Sequence, residues 1–298
     1  MKHWSLLILA AFGLVAAARP AHTLTEQRKP KRIVLVAGKV SHGPGDHEFN
    51  AGCTLLKKCL DGVPGVETKL YLSGWPSDPN AFDNADAIFF YMDGGSGHAA
   101  IQDDHLKVLD ALAKKGVGLG FGHYGVEVPA DKGGKEWQDW IGGYYETNFS
   151  VNPMWEPDYQ TFPNHPITRG VKPFQVRDEW YFNMRFTPDM KGITPILVAK
   201  PSDAVRNGPY VAPAGPYPHI QAAKGRDEIM MWAKQREDGG RGFGFTGGHR
   251  HVNWGNDNYR RVVLNALLWI AKAPVPRDGV QSTVTADDLK ANLDPKGK

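Results

Sequence analysis

Short apolar runs alternate with helical segments along the chain, and this alternation constrains the fold more than any single motif. Residues 32–37 (RIVLVA), 66–71 (VETKLY), 87–92 (AIFFYM) and 117–121 (VGLGF) read as strands, with helices over 48–60 and 101–115. The run AIFFYM has no polar position, so both of its faces must be covered. Strands of that kind are joined by crossover helices and lie in parallel sheets. Further strands are predicted at 193–199, 228–233 and 241–246, and a closing helix at 257–272 has Leu, Val and Trp at helical spacing. Residues 131–190, rich in Trp, Tyr, Pro and Asn, have no clean period and are expected to make long excursions above the sheet.

In parallel sheets ligands gather beyond the carboxyl ends of the strands. Polar, glycine-rich clusters stand at those ends here: SHGPGDHE at 41–48, DGGSGH at 93–98, GHYGVE at 122–127 and TGGHRH at 246–251. In the first, Asp46 reads as a helix cap and Glu48 as a complement to the helix dipole. A cap does not require imidazoles, so His42 and His47 are candidate ligands of a substrate or metal. Asp93 can accept sugar hydroxyls, orient a histidine or close an Asx turn, and His98 ends the same cluster. His123 occupies the position of a nucleophile elbow, between a buried strand and the next element. An imidazole there suits a general base or a metal ligand, with Tyr124 and Glu127 close by. Asp178, Glu179 and Tyr181 could face a carbohydrate, or the carboxylates could form an ion-pair network with Arg177. His249 and His251 alternate along an extended segment, so both could address one ion. No H-E-x-x-H helix is present.

Composition limits the class. With 298 residues, 41% hydrophobic, the chain can bury a sizeable core, and a net charge of +3 without dense basic blocks does not suggest a nucleic-acid partner. Residues 1–21 read as a signal peptide, placing the protein in the periplasm or outside the cell. The apolar core of that segment is too short for a membrane span, and no cysteine follows it for lipidation, so no stable membrane anchor is expected. Cys53 and Cys59, six apart in a helix, stand about 9 Å apart and cannot bridge, so they are read as buried thiols.

Taken together, SHGPGDHEF, YMDGGSGH, GVGLGFGHYGVE with DWIGGYYE, HPITRGVKPFQVRDEWY, and GRGFGFTGGHRHVNW with RRVVLNALLWIA resemble the ThuA-like (trehalose utilisation) family. The resemblance spans 32–275 and leaves 276–298 as a C-terminal extension. It implies an α/β fold similar to the class I glutamine amidotransferases, a flavodoxin-like open parallel sheet with helices on both faces. The amidotransferases carry cysteine where this chain has His123, so thiolate-dependent glutamine hydrolysis is not expected. Work on a small carbohydrate is implied instead, by a lyase, isomerase or hydrolase acting on a keto-glycoside or disaccharide. The expected catalytic residues are His123, His47, Asp93 and Glu127. His98, Tyr124, Asp178, Glu179, Tyr181 and His249 are expected to bind substrate. His42, His47, His123, His249 and His251 are candidate ligands for a divalent metal such as zinc, and no nucleotide cofactor is expected. The alternative is a non-catalytic carbohydrate-binding protein using the aromatic residues Trp155, Trp180 and Tyr181.

Overall fold

The computed structural model describes Met1 and residues 29–296; apart from Met1, the signal segment predicted at 1–21 lies outside them. In chain order the longer elements are β1 (Lys31–Ala37), α1 (Phe49–Leu60), β2 (Val66–Tyr71), β3 (Ala87–Tyr91), α2 (His105–Lys114), β4 (Gly118–Gly122), α3 (Gly134–Ile141), β5 (Ile193–Ala199), β6 (Glu228–Gln235), β7 (Arg241–Phe245) and α4 (Asp257–Ile270). The seven strands form one sheet in the order β5-β6-β7-β4-β3-β1-β2.

Alternation along β1 divides the core in two. Ile33, Leu35 and Ala37 join the cluster that includes Phe49 and Leu56 of α1 and Val263 and Leu267 of α4. Val34 and Val36 join the opposite cluster, with Leu109 of α2 and Trp137 of α3. Successive strand residues point to opposite faces, so a strand apolar at every position needs helices on both sides. β3 is buried throughout, as its sequence requires.

The sheet is mixed, which corrects the expected all-parallel arrangement. β2, β1, β3, β4 and β7 run parallel to one another. β6 runs antiparallel to both β5 and β7. Only residues 236–240 separate β6 from β7. A parallel crossover needs a dozen or more residues, so this connection can only make a hairpin.

The segment between β4 and β5 holds α3 and three two-residue pairings. Gly143–Tyr144 pairs with Arg185–Phe186, Met154–Trp155 with Asp178–Glu179, and Asp158–Tyr159 with Phe174–Gln175. After α4 the chain packs back on the domain: Val280 is buried, and a short helix α5 (Ala286–Lys290) starts at a Thr285–Asp288 capping box. Cys53 and Cys59 are free and buried. No helix among the described residues is long and apolar enough to cross a membrane.

Candidate metal centre

Because β1, β3, β4 and β7 are parallel neighbours, the loops that follow them meet at one edge of the sheet. Three histidines on these loops have left-handed backbones: His42 at φ 57°, His47 at φ 50° and His123 at φ 51°. That region costs an L-residue about 1–2 kcal/mol. Strain of this kind gathers where a site needs side chains that the relaxed chain would not present. Gly248, at φ +116°, brings the loop after β7 against His123; a Cβ there would lie 3.2 Å from the Cβ of His123.

Four donor atoms converge at this edge. His47 Nε2 lies 3.0 Å from His123 Nε2 and 3.0 Å from His249 Nδ1. Glu179 Oε2 lies 2.7 Å from His249 Nδ1 and 3.5 Å from His123 Nε2. His47 is 1% exposed, His123 0% and Glu179 3%. The ring hydrogens are already committed elsewhere. His47 Nδ1 donates to Asp93 Oδ1 at 2.9 Å, and His123 Nδ1 donates to the carbonyl of Thr246 at 3.0 Å. Neutral imidazole has one N–H, so both Nε2 atoms present lone pairs to each other. Such an approach repels unless a proton or a cation lies between them. A shared proton satisfies those two atoms and a hydrogen bond from His249 Nδ1 to Glu179 Oε2 the other two, whereas one divalent ion satisfies all four at once. Tetrahedral zinc with ligands near 2.0–2.2 Å places its donors about 3.4 Å apart, close to the separations found here. The Asp93–His47 pair is the carboxylate–histidine arrangement that fixes the tautomer of a metal ligand.

The surrounding electrostatics differ from one donor to the next. Burial pushes His47 down to about 3, so its ring stays neutral at ordinary pH. Burial pushes the Glu179 carboxyl up, but the neighbouring His123 and His249 rings outweigh it and hold it at about 2, as a carboxylate. Burial likewise raises Asp93, yet bonds from His47 and Ser41 keep it below its ordinary value. His249 is lowered by burial and raised further by Glu179, with a net upward shift.

Residues 34–270 match the family described as Trehalose utilisation, ThuA. The chain belongs to the ThuA family. Solved structures are similar to it, two ThuA-like proteins among them. A ThuA-like protein from Bacteroides uniformis is 14% identical, with a TM-score of 0.55 over 85% of this chain and 95% of that one. A ThuA-like protein from Parabacteroides merdae is also 14% identical, with a TM-score of 0.54 over 87% and 94%. At this identity they speak for the fold alone. No curated protein matches the chain.

In this ThuA-family chain a cleft of about 330 Å³ is lined by three of the four donor residues, His47, Glu179 and His249, at the small end of ligand pockets. Its walls include Tyr124, Glu127, Thr147, Asn152 and Tyr181, with Val211, Ala212 and Pro213 opposite. No lysine or arginine lines it among the described residues. Burial pushes Glu127 up to about 7, while Thr147 donates to its Oε1 at 2.8 Å. Burial also pushes Tyr124 up to about 12. The Tyr181 hydroxyl lies 3.2 Å from His123 Nε2. His42 is exposed and stacks on His47 at 3.6 Å between ring centroids. A second cleft, of about 360 Å³, lies around Trp75 and His105 on the other side of Asp93 and reaches none of the four donors.

Several predicted residues sit elsewhere. His98 is fully buried; its Nδ1 accepts from the Ala100 amide and its Nε2 donates to the Gly125 carbonyl, so it has nothing left for substrate. Asp178 accepts from the Tyr259 hydroxyl at 2.6 Å and from the amides of Gly248 and Arg250, and thereby shapes the His249 loop. His251 is 2% exposed and outside the cluster; neither of its ring nitrogens has a hydrogen-bond partner, and burial holds it at about 4. Trp155 and Trp180 are core residues that cannot face a sugar. Glu48 makes no side-chain cap, and Asp46 lies 3.5 Å from His249 Nε2 instead of capping α1. Glu179 was expected at the substrate and stands among the donors. Asn152, which sequence reasoning missed, donates to Glu179 Oε1 at 2.8 Å and leaves Oε2 to face the centre.

Proposed function

We propose that this protein is a metal-dependent enzyme acting on a neutral carbohydrate, by lyase, isomerase or hydrolase chemistry on a keto-glycoside or disaccharide. The observation that carries this reading is the convergence of the buried Nε2 atoms of His47 and His123 with Glu179 and His249, beside a cleft that His47, Glu179 and His249 line. His47, His123, His249 and Glu179 would hold a divalent ion such as zinc. Such an ion supplies Lewis-acid polarisation of a substrate oxygen.

The chain's own residues supply the rest. Lone pairs committed to an ion are not available as bases, so proton transfer falls to Glu127. Its buried carboxyl titrates near 7, where a general acid or base works best. Tyr124 and Asn152 offer hydrogen bonds to hydroxyls, and Val211 to Pro213 cover an apolar sugar face. Without a cation on the walls, an anionic substrate would meet Glu127 and Glu179 uncompensated. Residues 1–21 support a site of action in the periplasm or outside the cell.

The test pairs elemental analysis of the purified protein with turnover of an oxidised and unoxidised glycoside panel, with zinc, manganese, nickel or iron supplied. Stoichiometric metal and chelator-sensitive turnover are expected. A folded protein that retains none of these ions and converts no member of the panel would refute the proposal.

A further inference from the structure

The loop that delivers His47 is held from two sides, and one of them is the segment after α4. On the sheet side, the His47 amide donates to the His249 carbonyl at 2.9 Å and the His251 amide donates to the Gly45 carbonyl at 2.9 Å. On the other side stand Asp294 and Lys296. The Lys296 ammonium, with a side chain 3% exposed, donates to the Asp46 carbonyl and to the Gly43 carbonyl at 3.3 Å. It also pairs with Glu48 Oε1 at 3.2 Å, and the Glu48 side chain is 1% exposed. The Glu48 carboxylate is further occupied by the Gly45 amide at 2.9 Å and the Asp294 amide at 2.7 Å. Asn50 donates to Asp294 Oδ1 at 2.7 Å. The segment is rooted below by the Lys58–Asp288 ion pair and by Arg260, which donates to the carbonyl and hydroxyl of Ser282.

We infer that Lys296 is a positioning residue for the metal centre: residues 285–296 form a strap that holds the peptide preceding His47 in its left-handed conformation. The physical reasons are direct. The Asp46 carbonyl belongs to the peptide bond that His47 shares, and Lys296 bonds to it. His47 at φ 50° would relax toward an ordinary backbone if that peptide were free to rotate. Breaking a buried ion pair from one side also leaves an uncompensated charge, here on Glu48, inside the same loop. A strap resting on exposed side chains would have neither lever.

The consequence for the ion rests on the metal reading above, so the experiment has two arms. In the first, Co²⁺ affinity of the full chain is measured by chelator competition. Lys296→Met should weaken it about 10–100-fold, the range of lost supporting interactions around metal ligands. Adding Glu48→Gln removes the stranded charge and should restore much of the melting temperature, but not the affinity, because the Asp46 carbonyl is still unheld. A merely structural role predicts that affinity recovers together with stability, and that result would overturn the proposal. In the second arm, amide exchange at 45–49 is followed without metal, and Lys296→Met should accelerate it at least tenfold. If the wild-type protein binds no Co²⁺, the metal reading falls and the strap is judged by exchange alone. Unchanged exchange overturns it. Should Lys296→Met not fold, Asp288→Asn loosens the strap at its root and takes both arms.

Discussion

Glu127 is the residue whose chemistry depends most on where the fold places it. Its carboxyl, pushed up to about 7 by burial, is an ordinary glutamate in the sequence. Replacing it by Gln should lower kcat by about 10²–10⁴-fold, the usual contribution of a general acid or base, with metal content unchanged. The same variant should lose the limb of the kcat/KM pH profile near pH 7; retention of that limb would show that another group carries the proton. Stability gives an independent readout. A folded-state pKa above the unfolded one contributes stability at acid pH, and that stability is lost as pH rises through about 7. Glu127→Gln should therefore raise the melting temperature at pH 8 and change it little at pH 5. The imidazole ligands were legible at this scale, because histidines in glycine-rich strand ends have no capping reason to be there. Glu179 was not. Neighbouring strand residues point to opposite sides, and nothing in Asp178–Glu179 says which one faces the centre.

Among the elements, the turns after β3 and β4 interlock. A Cβ on Gly94 would lie 2.0 Å from the Tyr124 carbonyl oxygen and 2.8 Å from that of Glu127, both backbone atoms that cannot swing aside. Gly94→Ala should cost about 4 kcal/mol or more, at the exceptional end for a single substitution. Equilibrium urea unfolding measures it, and a loss under 1 kcal/mol would mean that these turns are not rigidly packed. The elements themselves were readable from hydrophobic runs, with helix α2 starting at His105 instead of 101 because the short turn Ala99–Ile101 precedes it. Strand direction was also readable at one place and was missed: the five residues between β6 and β7 admit only a hairpin. The two-residue pairings of the 143–186 excursion were not readable, since they are set by contacts with the rest of the domain and not by any local period.

For the whole molecule, an ion held by His47, His123, His249 and Glu179 would tie together four segments spread over some two hundred residues. Binding only to the folded state stabilises it by about 2.7 kcal/mol at a hundredfold excess over Kd. At this size that is a rise of roughly 5 °C or more in Tm. Thermal melts with added metal and with chelator measure it, and superimposable curves would count against the centre. The sequence by itself determined which side chains stand at the strand ends and that most strands run parallel, because apolar runs and glycine-rich turns are local and directional. It also determined that no thiolate occupies the elbow. Only the tertiary structure decided that His98 and Asp178 serve the framework and that His251 stands apart, while Glu179 joins three histidines. Convergence depends on sheet order and loop packing, and those are set by contacts between residues far apart in the chain.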